Sequence, residues 1–208
     1  MRAVLTLLIA FCIFPAAADD AAMQRFIQLN SDPALRQQAQ AAGEQRISFC
    51  GHCHGRDGNS KREHIPNLAG QNPLYLFNAF EKFANGERKD FVMSKLAPSL
   101  ILEDRVNVAI YYSAQQVVNR TEELDPALVA QGQALFQSTC SGCHGSAAQG
   151  LESMPRLAGQ PAEYLRLTLR GFRDKSADRA GSLMVPIAAN LSDQQIDALA
   201  AYLQQLKF

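Results

Sequence analysis

The chain states one unit twice, and that duplication limits its fold more than any other feature. Asp32-Pro33-Ala34-Leu35 returns as Asp125-Pro126-Ala127-Leu128, and Cys50-Gly51-His52-Cys53-His54-Gly55 returns as Cys140-Ser141-Gly142-Cys143-His144-Gly145. Pro66-Asn67-Leu68-Ala69-Gly70-Gln71 returns as Pro155-Arg156-Leu157-Ala158-Gly159-Gln160. Tyr75-Leu76 matches Tyr164-Leu165, Arg88 matches Arg179, Met93 matches Met184, and Tyr111 matches Tyr202. The offset is 93 residues at the Asp-Pro-Ala-Leu segment and drifts between 89 and 91 from the cysteines onward, as small loop insertions require. The expected division is a first unit over residues 32–115, a linker over 116–124 and a second unit over 125–208. Residues 19–31 form an N-terminal extension without a counterpart. A unit of about 85 residues struggles to bury enough apolar surface alone and commonly carries a disulfide, metal or cofactor as a staple.

Each unit reads as helical. Asp32 and Asp125 are candidate N-caps followed by Pro at the first helical position, opening helices that run to the cysteine pairs. Segments 73–83 and 161–172 carry helix-spaced apolar residues. The last helix of the second unit starts at Ser192 with Gln195 three residues on, a capping box, and its apolar stripe is Ile196, Leu199, Ala200, Leu203 and Leu206. The first unit has Ile101 at the Ser192 place, so the matching helix lacks that cap and is expected to begin near Ser99. No segment alternates with a strand's period of two. The expected class is all-α, two tandem domains related by internal repeat.

The N-terminus reads as an address. Met1 and Arg2 precede an apolar run from Ala3 to Phe14, Pro15 ends it, and Ala16-Ala17-Ala18 supply the small residues of a cleavage site. Residues 1–18 are therefore expected to be a cleaved signal peptide, which places the mature chain in the periplasm. Cleavage removes Cys12 and leaves Cys50, Cys53, Cys140 and Cys143 in an oxidising compartment, where disulfides are the default. With 20 basic and 20 acidic residues the chain lacks the cationic surplus that nucleic-acid binding or a polybasic membrane clamp requires.

The histidine directly after the second cysteine of each pair changes the reading of those thiols. A lone C-x-x-C serves a dithiol couple, a disulfide or half a zinc site. C-x-x-C-H is the attachment pattern of c-type haem, in which both thiols form thioethers with the porphyrin vinyl groups and the histidine ligates iron. Zinc fits less well, because 86 residues separate the pairs and zinc gives no reason for the histidines. A thioredoxin-like couple lacks the strands to build its sheet. Two covalently bound haem c groups are the expectation, held by Cys50, Cys53, Cys140 and Cys143.

The repeat also selects the distal ligands. Methionine is ordinarily a core filler. Of Met23, Met93, Met154 and Met184, only Met93 and Met184 occupy equivalent places, 39 and 40 residues beyond His54 and His144, each in an expected loop. The axial sets are thus His54 with Met93 and His144 with Met184. His52 matches Gly142 and His64 matches Ser153, so neither is expected to be a ligand. A ligating histidine donates its other N–H to a carbonyl, and Pro66 and Pro155 are the candidates. Arg88 and Arg179, five residues before each methionine, are candidates for bonding a haem propionate. Tyr75, Tyr164, Tyr111 and Tyr202 serve either core packing or the propionates.

On C-x-x-C-H-G twice, Pro-x-Leu-Ala-Gly-Gln twice, Gly86-x-Arg88, the Met-to-Leu loops and Leu191-Ser192-Asp193 leading to Ala200-Ala201-Tyr202, the chain resembles the cytochrome c4 family over roughly residues 32–208. Ala177 replaces the glycine of Gly-x-Arg in the second unit, and Ile101-Leu102-Glu103-Asp104 stands where Leu-Ser-Asp is expected in the first. The resemblance implies His/Met ligation at both haems, haems facing each other across the domain interface, and delivery of electrons to a terminal oxidase. The leading expectation is an exported one-electron carrier, not an enzyme. Its partners would be redox proteins, a reductase and a terminal oxidase, with possible peripheral membrane association, no nucleic acid and no small-molecule substrate. The alternatives are a haem-bearing subunit of a periplasmic dehydrogenase complex and a dihaem peroxidase.

Overall fold

Short polar caps and prolines set the helix starts. A computed structural model describes residues 16–119, 124–179 and 181–208, with side chains from residue 20. The first fifteen residues of the expected signal peptide, and residues 120–123 of the expected linker, lie outside it. Helix α1 spans Ala16–Ser31 and α2 spans Pro33–Arg46. The Asp32 carboxylate accepts the Ala34 and Leu35 N–H groups at 2.8 and 3.0 Å, satisfying donors that the first turn leaves without partners. The first unit continues with α3 (Gly51–His54), α4 (Pro73–Ala84), α5 (Met93–Leu96) and α6 (Leu102–Ser113).

The second unit repeats that order with α7 (Pro126–Leu135), α8 (Ser141–His144), α9 (Ala162–Arg173), α10 (Met184–Ala188) and α11 (Asp193–Gln205). Asp125 caps α7 by accepting the Ala127 N–H at 2.9 Å, and Ser192 and Gln195 close a capping box on α11. A π-helical turn, Phe136–Cys140, joins α7 to α8. There is no strand among the described residues.

Two expectations are corrected. The last helix of the first unit opens at Leu102, because Ser99 belongs to a 3-10 turn over Ala97–Ser99 and donates its hydroxyl to Leu96 O. Met93 and Met184 are not loop residues; each opens a one-turn helix.

The same crossing organises both cores. In the first unit α2 passes α6 at Gly43, where an added Cβ would strike the Asn107 backbone oxygen and lie 2.7 Å from Tyr111 Cβ. In the second, α7 passes α11 at Gly132, where it would strike Ala198 O and lie 2.8 Å from Tyr202 Cβ. Around these crossings lie two hydrophobic clusters, one centred on Phe77, Phe80, Val106 and Ile110, the other on Phe136, Leu165, Leu199 and Leu203.

The extension is packed into the first of them. Phe26 and Leu29 of α1 are buried, and Phe26 stacks on Phe77 with ring centroids 4.9 Å apart. Burying each such side chain is worth about 1.5–3 kcal/mol. Arg25 adds a forked ion pair to Glu103 of α6 at 2.5 and 2.8 Å.

The units meet through the repeated Pro-x-Leu-Ala-Gly-Gln segments, related by an approximate two-fold axis as in an isologous dimer. The Gln160 side chain accepts the Asn67 N–H at 2.9 Å and donates to Asn67 O at 2.8 Å. Gln71 does the same to Arg156, at 2.6 and 2.9 Å. The fully buried Arg156 guanidinium reaches across to Ala69 O at 2.6 Å and also bonds its own unit's Ala158 O. It faces carbonyls and the Phe208 ring, and burial pulls its pKa down to about 10. The connection is pinned as well: Val118 N–H donates to Asn59 Oδ1 at 2.9 Å, and Phe208 N–H to Asn119 Oδ1 at 3.2 Å.

Candidate functional site

Each cysteine pair sits at a one-turn helix, α3 or α8, that sets its two cysteines three residues apart on one side and presents the histidine next. Gly55 and Gly145 end these turns at φ 79° and 78°, a left-handed backbone that residues with a Cβ rarely adopt. All four thiols are free, so no disulfide joins them. The pairs do not converge either: among the described residues no group of three or more His, Cys, Asp or Glu could hold a metal ion. Burial pushes the Cys50 and Cys140 thiols up.

The histidines are held alike. His54 Nδ1 lies 3.0 Å from Pro66 O, and His144 Nδ1 lies 2.9 Å from Pro155 O. A carbonyl only accepts, so Nδ1 carries the proton and Nε2 keeps its lone pair for a metal. Burial lowers the pKa of both rings, outweighing the opposing hydrogen bond to proline. Each imidazole is thus held neutral and oriented.

Met93 and Met184 are half-buried at the heads of α5 and α10. Asp90 accepts the Val92 and Met93 N–H groups, both at 2.9 Å, and lies close enough to His54 for its charge to act on that ring. This carboxylate anchors the start of α5. In the second unit Ser182 Oγ takes the Met184 N–H at 3.2 Å. Apolar residues flank both methionines in exposed positions, Phe91 at 82% and Leu183 at 77% exposure. A large apolar ring lying against each methionine would cover such residues.

Arg88 and Arg179 occupy matching places, over the Phe83 ring at 4.5 Å and the Phe172 ring at 5.4 Å. Arg88 bonds Tyr75 Oη at 3.5 Å and also reaches Tyr164 of the other unit, while its buried Nε has no partner. Burial would raise the Tyr164 phenol, but Arg88 and Arg179 pull it below its ordinary value. An open groove of about 960 Å³ runs between the units here, with Phe83, Phe91 and Lys95 on one wall and Tyr164, Leu167 and Arg179 on the other. The unpaired Arg88 Nε, buried behind the groove-lining Phe83 and Tyr164, fits a ring that carries carboxylates.

The remaining candidates fall elsewhere. His52 Nδ1 turns back to Ser48 O at 2.9 Å, and His64 lines the inter-unit groove. Met23 packs against the first core, and the Met154 carbonyl accepts Asn72 Nδ2 at 2.6 Å. Tyr111 Oη donates to Arg56 O, while Tyr202 is buried against Phe136. Sequence reasoning passed over Asp90, which has no equivalent carboxylate at Gly181, and the pair Gln71 and Gln160. Their signal was available: both glutamines close a six-residue segment that recurs with a single change.

The family model for cytochrome c matches residues 129–207. Cytochrome c4 of Pseudomonas aeruginosa is 36% identical over 178 residues, covering 80% of this chain and 88% of that protein. The chain belongs to the cytochrome c4 family. The crystal structure of reduced recombinant cytochrome c4 from Pseudomonas stutzeri superposes with a TM-score of 0.73 at 33% identity, covering 80% of this chain and 98% of that one. The thiosulfate dehydrogenase electron acceptor of Thiomonas intermedia is 31% identical over 176 residues, covering 78% of this chain and 81% of that protein. As a cytochrome c4-type electron carrier the chain binds haem c covalently. The free thiols, the neutral oriented histidines and the unsatisfied Arg88 suit that group.

Proposed function

We propose that the chain is an exported carrier that moves single electrons between redox proteins, with Cys50 and Cys53 anchoring one haem and Cys140 and Cys143 the other. The observation that carries this reading is the repetition of one geometry. In both units a neutral histidine is fixed by a proline carbonyl with Nε2 left to bind, and a methionine heads a short helix further on. When bound, the haem iron supplies reversible one-electron chemistry. His54 and Met93, like His144 and Met184, would fill the two remaining positions of a six-coordinate iron and leave none for oxygen, peroxide or a small substrate. The soft methionine sulfur would favour the ferrous form. Arg88 and Arg179 would hold propionates at the groove between the units. The mature chain would work in the periplasm with a reductase as donor and a terminal oxidase as acceptor. No helix among the described residues is long and apolar enough to cross a membrane.

A second reading rests on the Thiomonas relative. That protein is named as an electron acceptor for thiosulfate dehydrogenase, and a periplasmic sulfur-compound dehydrogenase could equally reduce this chain. Mixing the reduced holoprotein with oxidases, and the oxidised one with such dehydrogenases, separates the two. The ligand assignment has its own test. Met93→Ala and Met184→Ala should each abolish the near-infrared sulfur-to-iron band of one ferric haem and leave the other; bands that survive both changes would overturn it.

A further inference from the structure

The peptide group that orients each histidine also donates a hydrogen bond to the other unit. Pro66 O accepts from His54 Nδ1 at 3.0 Å, and the N–H of that same peptide, on Asn67, donates to Gln160 Oε1 at 2.9 Å. In the second unit Pro155 O accepts from His144 Nδ1 at 2.9 Å, and the Arg156 N–H donates to Gln71 Oε1 at 2.6 Å. Each glutamine is locked by its second bond, from Nε2 to Asn67 O at 2.8 Å or to Arg156 O at 2.9 Å. Gln71, Gln160, Asn67 and Arg156 are all buried, at 3%, 3%, 2% and 0% exposure, so water does not compete for these groups.

We infer that each glutamine is a positioning residue for the histidine of the opposite unit, acting through the shared peptide. A peptide is a resonance unit, and withdrawing its N–H toward an acceptor makes its carbonyl oxygen more negative. The oxygen then pulls harder on Nδ1–H, and the imidazole becomes a stronger electron donor at Nε2. A more basic axial ligand favours ferric over ferrous iron. Gln160 therefore lowers the reduction potential of the first unit's haem, and Gln71 lowers that of the second. The coupling is crossed: the identity of one unit's glutamine is read at the other unit's metal. Docking of the units and tuning of their potentials become one interaction, so a partner that shifts the units relative to each other also shifts both potentials.

This inference rests on the assignment of His54 and His144 as axial ligands. The test uses the full-length holoprotein, with each haem's potential followed through its own paramagnetically shifted methyl resonances. Gln160→Met removes the acceptor at similar volume and should raise the potential of the first unit's haem more than that of the second. Gln71→Met should do the reverse. Gln160→Asn, which stays polar but is one methylene too short, should act like Gln160→Met and stands in if that variant does not fold. A general loosening of the interface would move the same haem, or both alike, whichever glutamine is replaced. That uncrossed pattern, or unchanged potentials, would overturn the inference. Six-coordinate spectra in all variants show the ligands intact, so the failure would then belong to the relay alone. A His54→Ala chain whose spectrum is unaltered would instead overturn the ligand reading.

Discussion

Replacing Gly132 by alanine measures how tightly the two long helices of the second unit are pressed together. The added methyl would strike Ala198 O and lie 2.8 Å from Tyr202 Cβ. Neither obstacle can turn away, since one is helix backbone and the other is the atom that fixes its side chain to the helix. The helices must separate, which also loosens Leu199 and Leu203 against Phe136. Overpacking of this kind costs about 1–3 kcal/mol, and immovable neighbours place it at the upper end. Alanine recovers about 0.5–1 kcal/mol of helix-interior preference. The net expectation is a loss of about 2 kcal/mol, or roughly 4–8 °C in Tm for a chain of this size. Guanidinium unfolding of the holoprotein, followed by far-ultraviolet circular dichroism, reads it. Gly181→Ala is the control, because a Cβ there meets nothing within 4 Å, and it should stay within about 0.5 kcal/mol. A Gly132→Ala protein as stable as the control would refute the close crossing.

Three further outcomes follow from the same structure. Gly58→Ala should destabilise the first unit by about 1–3 kcal/mol, because its Cβ would lie 2.5 Å from Ala69 N and 2.9 Å from Tyr112 Cδ1 at a φ of 77°. Tyr112→Leu should recover part of that loss, since the second unit already combines Ala148 with Leu203; unfolding of the single and double variants checks this. Arg156→Ala should cost about 2 kcal/mol, the lost charge-assisted bonds to Ala69 and Ala158 outweighing the relief of a buried charge, with a larger radius of gyration by small-angle scattering. The Arg25 hydrogen bond and charge hold the Glu103 carboxyl below its ordinary value of 4.5. The unfolded chain therefore binds the extra proton, so the clamp on α1 is fully present above that pH and is lost as pH falls through the folded value. Amide exchange over Ala22–Leu29 should accelerate in that acid range, and Glu103→Gln should abolish the step.

Much of the local fold was legible in the chain itself. Helix starts at Asp32, Asp125 and Ser192 were readable because a cap is a local event, settled by a side chain and the two or three peptides after it. The Ser99 start failed for a related reason. Ile101 offers no cap, and with nothing local to mark the boundary, the proline-containing 3-10 turn before it took Ser99. The helical setting of Met93 and Met184 was hidden because a four- or five-residue helix shows no apolar period. The extension gave no sign of belonging to the first core. Its Phe26 meets a partner, Phe77, that only the packing of α1 beside α4 supplies.

The sequence alone determined the duplication, the helical class, the paired thiols with their histidines and the equivalence of the two methionines, since each is a matter of residue type and spacing along one chain. Tertiary structure decided which unit's glutamine meets which unit's peptide, how Arg88 comes to touch Tyr164, and where Arg156 hides its charge. Repetition shows that two segments are alike, but the energy of docking them depends on the angle at which their surfaces meet. No local periodicity carries that angle.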